Sequence, residues 1–151
     1  SYLCRRFSGG MEIFMTNYEL TNEEKNRRRN ISAHTRKMVM SQLQIDDQDE
    51  TSLMTDYRGY YLQISFSELH PLMVFCVARG MNTPSTAKQR KQVNELNLKS
   101  ILGSHAINDE VGCYSYRATH WLDKELDPTR FFEMLSRCID EADKGYRRLT
   151  G

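Results

Sequence analysis

Apolar residues recur in this chain with two different periods, and the periods divide it into elements. The clearest run is Phe131, Phe132, Leu135, Cys138, Ile139, Ala142, Tyr146 and Leu149, spaced by three and four residues. That spacing lines one side of an α-helix. Asp127-Pro128 starts it, with a capping carboxylate followed by proline at the first helical position. A second helix is expected over 21–44. TNEE supplies a capping box, with Thr21 as cap and Glu24 reaching back. Its first half is wholly polar. Its second half offers Ile31, Met38, Val39 and Leu43 as the packing stripe. A third helix is expected from Thr83-Pro84 to about Leu102, with Val93, Leu96 and Ile101 on its apolar side and Gly103 as the stop.

Between these runs the period falls to two. SLMTDY and YYLQISF read as strands joined by Arg58-Gly59, where glycine tolerates positive φ. LMVFCVA, 72–78, is almost continuously apolar and short, as a buried central strand would be. SHAI and VGCYSYRATHW form a hairpin around Asn108-Asp109-Glu110. The acidic stretch 46–50 reads as a loop, because carboxylates are unfavourable at a helix C-terminus. FSGGMEIFM, near the start, fits either a short strand or a loose arm. The order is helix, three strands, helix, two strands, helix. Strands grouped by short turns, bracketed by helices, predict an α+β fold with an antiparallel sheet of about five strands. Residues 1–30 read as an N-terminal arm and polar helix start, and 31–151 as one domain.

Length supports a single core, since a 151-residue chain buries roughly 68–70% of its unfolded surface. Charge lends no global support to one class of partner, though local patches remain open. With 21 basic and 20 acidic residues the net charge is +1, so no global field attracts a polyanion or anionic membrane. No apolar run is long enough to cross a bilayer, and the first residues lack the apolar core of a secretion signal. Cytoplasmic residence with reduced thiols is the expectation for the four scattered cysteines, Cys4, Cys76, Cys113 and Cys138.

Little in the sequence carries chemistry. Among His34, His70, His105 and His120, only His105 with Cys113 makes a potential ligand pair across the hairpin. Two ligands complete no zinc site, and solvent-facing strand histidines are the simpler reading. Cys76 and Cys138 sit in apolar patterns and read as core. Asp46, Asp47, Asp49 and Glu50 lack the glycine and terminal glutamate of a calcium loop. No nucleotide-binding or hydrolase motif is present. No catalytic residue, cofactor or metal is therefore expected. The basic clusters Arg27-Arg28-Arg29 and Lys88, Arg90, Lys91, with Tyr114 and Tyr116 as stacking residues, define the alternative of a small regulatory nucleic-acid-binding protein.

The meander of three strands, a helix ending V-N-E-L-N, an acidic hairpin turn and a capped helix ending E-A-D-K-G-Y resemble the YbjN family. That family's domain looks like the type III secretion chaperone fold. The resemblance spans about Ser52 to Leu149 and implies a binding or regulatory role rather than catalysis. It also gives a role to two helix amides: Asn94 and Asn97 are expected to bond backbone groups where ladder partners run out, with a ligand site as the functional alternative. The expected function is a non-enzymatic protein-interaction or chaperone-like module, binding a protein client or itself as a homodimer. The candidate partner surface is the β-face Tyr60, Leu62, Ile64 and Phe66, with Trp121 at the end of the last strand. It stands as a surface unless residues 1–45 cover the sheet.

Overall fold

The structure is a computed structural model and describes residues 19–67 and 70–151. The N-terminal segment FSGGMEIFM, and the question of whether it holds a strand, lie outside the described residues.

Local chemistry fixes each element. Helix α1 (Asn22–Gln42) is capped by Thr21, whose hydroxyl accepts from the Glu24 N–H at 3.1 Å. Only half of the expected capping box forms, because the Glu24 carboxylate takes Arg27 and Arg28 instead, at 3.2 and 3.0 Å. As expected, burial is confined to its second half, at Ile31, Ser32, Thr35 and Val39.

The acidic stretch is not a plain loop, which corrects the sequence reading. Strand β1 (Asp47–Gln48) pairs antiparallel with β2 (Ser52–Tyr57). Its turn is built from within, since Asp49 Oδ1 accepts the N–H groups of Thr51 and Ser52 at 3.0 and 2.8 Å. Arg36 of α1 clamps it by donating to the carbonyls of Asp49 and Glu50 at 2.5 and 3.0 Å. A guanidinium here offsets the acidic run and replaces solvent as the donor.

Strand β2 turns into β3 (Tyr60–Phe66) through Arg58 and Gly59, both at positive φ, 49° and 83°. Two such residues make the hairpin turn whose twist matches the strands. Strand β4 (Leu72–Gly80) follows as the expected buried strand. Helix α2 (Ala87–Lys99) begins later than expected. Thr86, not Thr83, is its cap, in a reciprocal box with Gln89. The Thr83–Pro84 peptide is cis and precedes the helix. Asp109, in the hairpin turn, holds this approach through the Ser85 N–H and hydroxyl at 2.7 and 2.8 Å. Strands β5 (Gly103–Asn108) and β6 (Cys113–Trp121) form the last hairpin. Helix α3 (Pro128–Thr150) is capped by Asp127, which accepts from the Arg130 N–H at 2.8 Å.

The six strands form one antiparallel sheet in the order β1-β2-β3-β4-β6-β5. This is the α+β layout expected, with β1 as an additional strand. All three described helices lie on the same side, with α3 against β4, β5 and β6, α2 against β5 and α3, and α1 against α3. The core between sheet and helices joins Leu62, Ile64, Phe75, Val77, Tyr114 and Tyr116 to Phe131, Leu135, Ile139 and Ala142.

This placement corrects the expectation for the partner surface. Tyr60, Leu62, Ile64 and Phe66 are 0–3% exposed and point beneath the helices. They are core because the apolar stripe of α3, together with Ile31 and Val39 of α1, joins them in one cluster, so residues within 1–45 do help to cover this face. Helix α3 also needs a gap in its surface at Gly145. A side chain there would run into the His105 ring and the Tyr114 hydroxyl.

Candidate functional site

Three of the exposed large apolar side chains of the described residues, Leu98, Ile101 and Leu102, lie at the C-terminal end of α2. No residue of α2 is buried, and Val93 and Leu96 only lean on the core. Ile101, expected on that apolar face, lies outside the helix. Ser100 ends α2, and its single hydroxyl hydrogen is shared between the Gly103 carbonyl and the Glu141 carboxylate, both 2.5 Å away. The chain therefore turns outward. Leu98 is 78% exposed, Ile101 92% and Leu102 40%.

This apolar tip is held from both sides. On one side, Asn97 Nδ2 donates to the His105 carbonyl at 2.9 Å and its Oδ1 accepts from the His105 N–H at 2.7 Å. Strand β5 is the last of the sheet, so the outward amides have no next strand. Asn97 supplies the two bonds a strand would make. On the other side, Gln89 Nε2 donates to the Leu149 carbonyl at 2.9 Å and Arg148 pairs with Glu95 at 2.6 Å, tying α2 to α3. Gly103 permits the sharp return, because a Cβ there would overlap the Arg117 backbone carbonyl. Asn94, the other predicted amide, is exposed, and its side chain makes no hydrogen bond among the described residues. One amide of the two is therefore an edge-strand partner.

Beneath the tip lies a polar cluster that serves the fold. His105 is buried and its Nδ1 sits 2.7 Å from the Tyr114 hydroxyl, with the Tyr116 ring 4.9 Å away. Burial lowers the His105 pKa, against the opposing pull of the Glu141 charge. Burial also raises the phenols of Tyr114 and Tyr116 above their ordinary range. Close by, linked through the Tyr146 ring that meets both Tyr60 and Tyr114, Tyr60 donates to Asp143 at 2.8 Å, and Asp143 pairs with Arg147 at 2.6 Å. Arg79 stacks over the Tyr146 ring at 4.8 Å. Burial, then the hydrogen bond to Asp143, pushes the Tyr60 phenol up to about 12.

The remaining sequence candidates are dispersed. His105 and Cys113 do not meet, since His105 faces Tyr116, Cys113 faces Asn108, and they lie on opposite faces of the sheet. The strand histidines are not solvent-facing, as His105 is buried and His120 is half-buried with its pKa lowered by burial, while His70, also buried, lies in the turn before β4. Cys76, Cys113 and Cys138 are buried thiols, and burial pushes Cys113 up to about 11 and Cys138 to about 12. Reactive cysteines need the opposite shift. Among the described residues no three His, Cys, Asp or Glu side chains gather as a metal would require. Tyr114 and Tyr116 have no free face on which a base could stack, and Arg27 is turned toward Glu24 and the Asp123 carbonyl. No described helix is long and apolar enough to cross a membrane. Trp121 stands 67% exposed at the end of β6, on the side of the sheet away from the helices, beside an open cleft lined by Leu126, Arg130 and Met134.

The fold is shared with solved proteins at low identity. YbjN from E. coli aligns at 8% identity over 75% of this chain and 87% of its own, with a TM-score of 0.57. The Yersinia pestis type III secretion chaperone SycH, solved with a stable fragment of YscM2, aligns at 12% identity over 76% and 98%, with a TM-score of 0.52. A chain of the HopA1–SchA chaperone–effector complex aligns at 9% identity over 86% and 98%, also at 0.52. No curated protein matches the sequence. Residues 31–150 match the profile of the YbjN family, described as "Putative bacterial sensory transduction regulator", and the chain belongs to that family.

Proposed function

We propose that this protein is a non-enzymatic protein-interaction module of chaperone-like type that works as a homodimer. The observation that carries the reading is the tip of Leu98, Ile101 and Leu102. Three aliphatic side chains are held in water by a helix stop, a serine pin and an asparagine clamp. Each fully buried aliphatic side chain contributes roughly 1.5–3 kcal/mol relative to exposure, so a surface pinned open in this way favours a partner. A two-fold contact is the simplest, because it uses the same patch twice. Strand addition at β5 is disfavoured, since Asn97 already occupies the outward groups of His105. Side-chain packing through α2 is the alternative that remains. Two of the similar folds come from complexes of a secretion chaperone with a protein, which supports a protein client for this module by analogy. Trp121 and its cleft are the second contact of that client surface.

The test is sedimentation velocity across the micromolar range on the parent chain and on Leu98→Asp/Ile101→Asp. The parent should sediment as a dimer and the double variant as a folded monomer. A parent that remains monomeric throughout would remove the homodimer from the reading.

A further inference from the structure

Two fixings hold the end of α2, and one buried side chain belongs to both. On the β5 side, the His105 backbone N–H and carbonyl both go to the Asn97 amide. On the α3 side, Glu141 shares the Ser100 hydroxyl hydrogen with the Gly103 carbonyl, at the residue where α2 stops. The His105 ring is buried between these ties, and each element packed around it supplies a neighbour. Strand β6 brings the Tyr114 hydroxyl, 2.7 Å from Nδ1, and the Tyr116 ring, with centroids 4.9 Å apart. Helix α3 brings the Glu141 carboxylate, the Cys138 thiol beyond the two phenols, and bare backbone at Gly145, where a Cβ would stand 2.4 Å from Nδ1. Helix α2 brings the neutral Asn97 amide. Among these groups Glu141 is the one carboxylate, and its charge acts on His105, Tyr114 and Tyr116 alike.

We propose that His105 and Glu141 form a proton-operated latch on the apolar tip: a proton taken up by His105 draws the Glu141 carboxylate from Ser100 to the imidazolium, frees the end of α2 and weakens the association made through Leu98, Ile101 and Leu102. The neutral ring needs no countercharge, because the Tyr114 hydroxyl satisfies Nδ1. A cation in the same buried place is stable only when paired. The anion that acts on it is Glu141, which at present holds a neutral hydroxyl. A carboxylate bonds more strongly to a charged donor than to a neutral one. Ser100 then keeps the Gly103 carbonyl, within its own turn, and loses its tie to α3. The Asn97 bonds grip the backbone of His105 itself, so displacement of the ring reaches α2 from the β5 side as well. The sign follows from burial, which lowers the His105 pKa in the closed state. In the opened state the ring titrates near the ordinary value of about 6.5. Opening therefore takes up a proton and grows as pH falls below about 6.5. At pH 5.5 a freed imidazole is protonated by about ten to one, so the linkage reaches about tenfold per protomer. The effect on association rests on the dimer proposed above, whereas the latch itself does not.

Two readouts keep them apart. The first is hydrogen exchange by NMR at the His105 backbone amide, which Asn97 protects, in the monomeric Leu98→Asp/Ile101→Asp chain. After correction for the intrinsic exchange rate, its protection should fall about tenfold from pH 7.5 to pH 5.5. Glu141→Gln keeps an acceptor for Ser100 but removes the charge, and His105→Gln removes the titrating ring. Either change, added to that chain, should abolish most of the fall. Protection that stays level across the range, or that falls equally with Glu141→Gln, would overturn the latch. The second readout is the dissociation constant of the parent dimer by sedimentation velocity. It should rise about tenfold or more over the same range and stay level in Glu141→Gln. A dimer equally tight at both pH values would overturn the link between latch and association. A parent that is monomeric at both would overturn the dimer, and with it that link, while exchange at His105 still decides the latch.

Discussion

Asn97 replaces a missing strand with one side chain. A buried or edge amide left without a partner costs about 1–3 kcal/mol, so Asn97→Ala should destabilise the fold by that order in a urea titration. Asn94→Ala should change it by less than about half a kcal/mol, as surface substitutions do. Equal losses at the two positions would contradict the assignment. Sequence reasoning reached this pair and its backbone role but could not separate its members. A spacing of three places both on one side of a helix. Which of them meets the strand depends on where the helix ends. The same dependence hid the tip. Ile101 fits the apolar period of α2, yet Ser100 leaves the helix for the Gly103 carbonyl and Glu141, and the period ceases to apply.

Two histidines also act at this scale. Burial lowers the pKa of both His105 and His120, so each is neutral in the folded chain and takes a proton more readily when unfolded. A depressed folded pKa stabilises above the unfolded value, about 6.5, and that stability is lost as pH falls through the folded value. His105 is enclosed by Tyr114, Tyr116 and Glu141, and of these only the Glu141 charge would favour its protonated form. Stability in urea should therefore decline between pH 7 and pH 5, before the carboxylates titrate. His105→Gln should flatten the decline. A pH-independent urea midpoint over that window would contradict the burial of these rings.

Among the elements, α3 organises the molecule. Its stripe was legible in the sequence because the period is sustained over five turns and both caps are local. Leu135 is fully buried in its centre, and Leu135→Ala should cost about 2–5 kcal/mol. A loss below about half a kcal/mol would mean that this face is not the core. Gly145→Ala should cost about 1–3 kcal/mol by overpacking against His105 and Tyr114. Strand β3 was legible as a strand but not in its use. Alternation assigns Tyr60, Leu62, Ile64 and Phe66 to one face and Tyr61, Gln63 and Ser65 to the other. It carries no information on which face a distant helix will cover. Because Gln63 and Ser65 are buried as well, hydrophobicity alone could not have ranked the two faces. The acidic stretch failed for a related reason. Its strand forms through Arg36, fourteen residues before Glu50, and propensity does not register a clamp at that distance.

Across the whole molecule, polar groups have been drawn inward to hold the layers, and aliphatic groups stand outside at one end. This distribution suits a protein that acts by association. Trp121 is the chain's single tryptophan, so its fluorescence reports the second surface without labelling. Emission should be that of a solvated indole in the free protein and should shift to shorter wavelength when a client is bound. A client that binds with no change in emission would remove Trp121 from the contact.

The central claim is that two copies meet through the tip at the end of α2. The most direct measurement is the dipolar distance between two copies spin-labelled at Lys99→Cys, beside Leu98, in a Cys4→Ser background with the other cysteines left buried. The account predicts a short, well-defined intermolecular distance that vanishes with Leu98→Asp/Ile101→Asp. A dimer that shows no intermolecular dipolar signal at this position, or one that keeps it in the double variant, would contradict it.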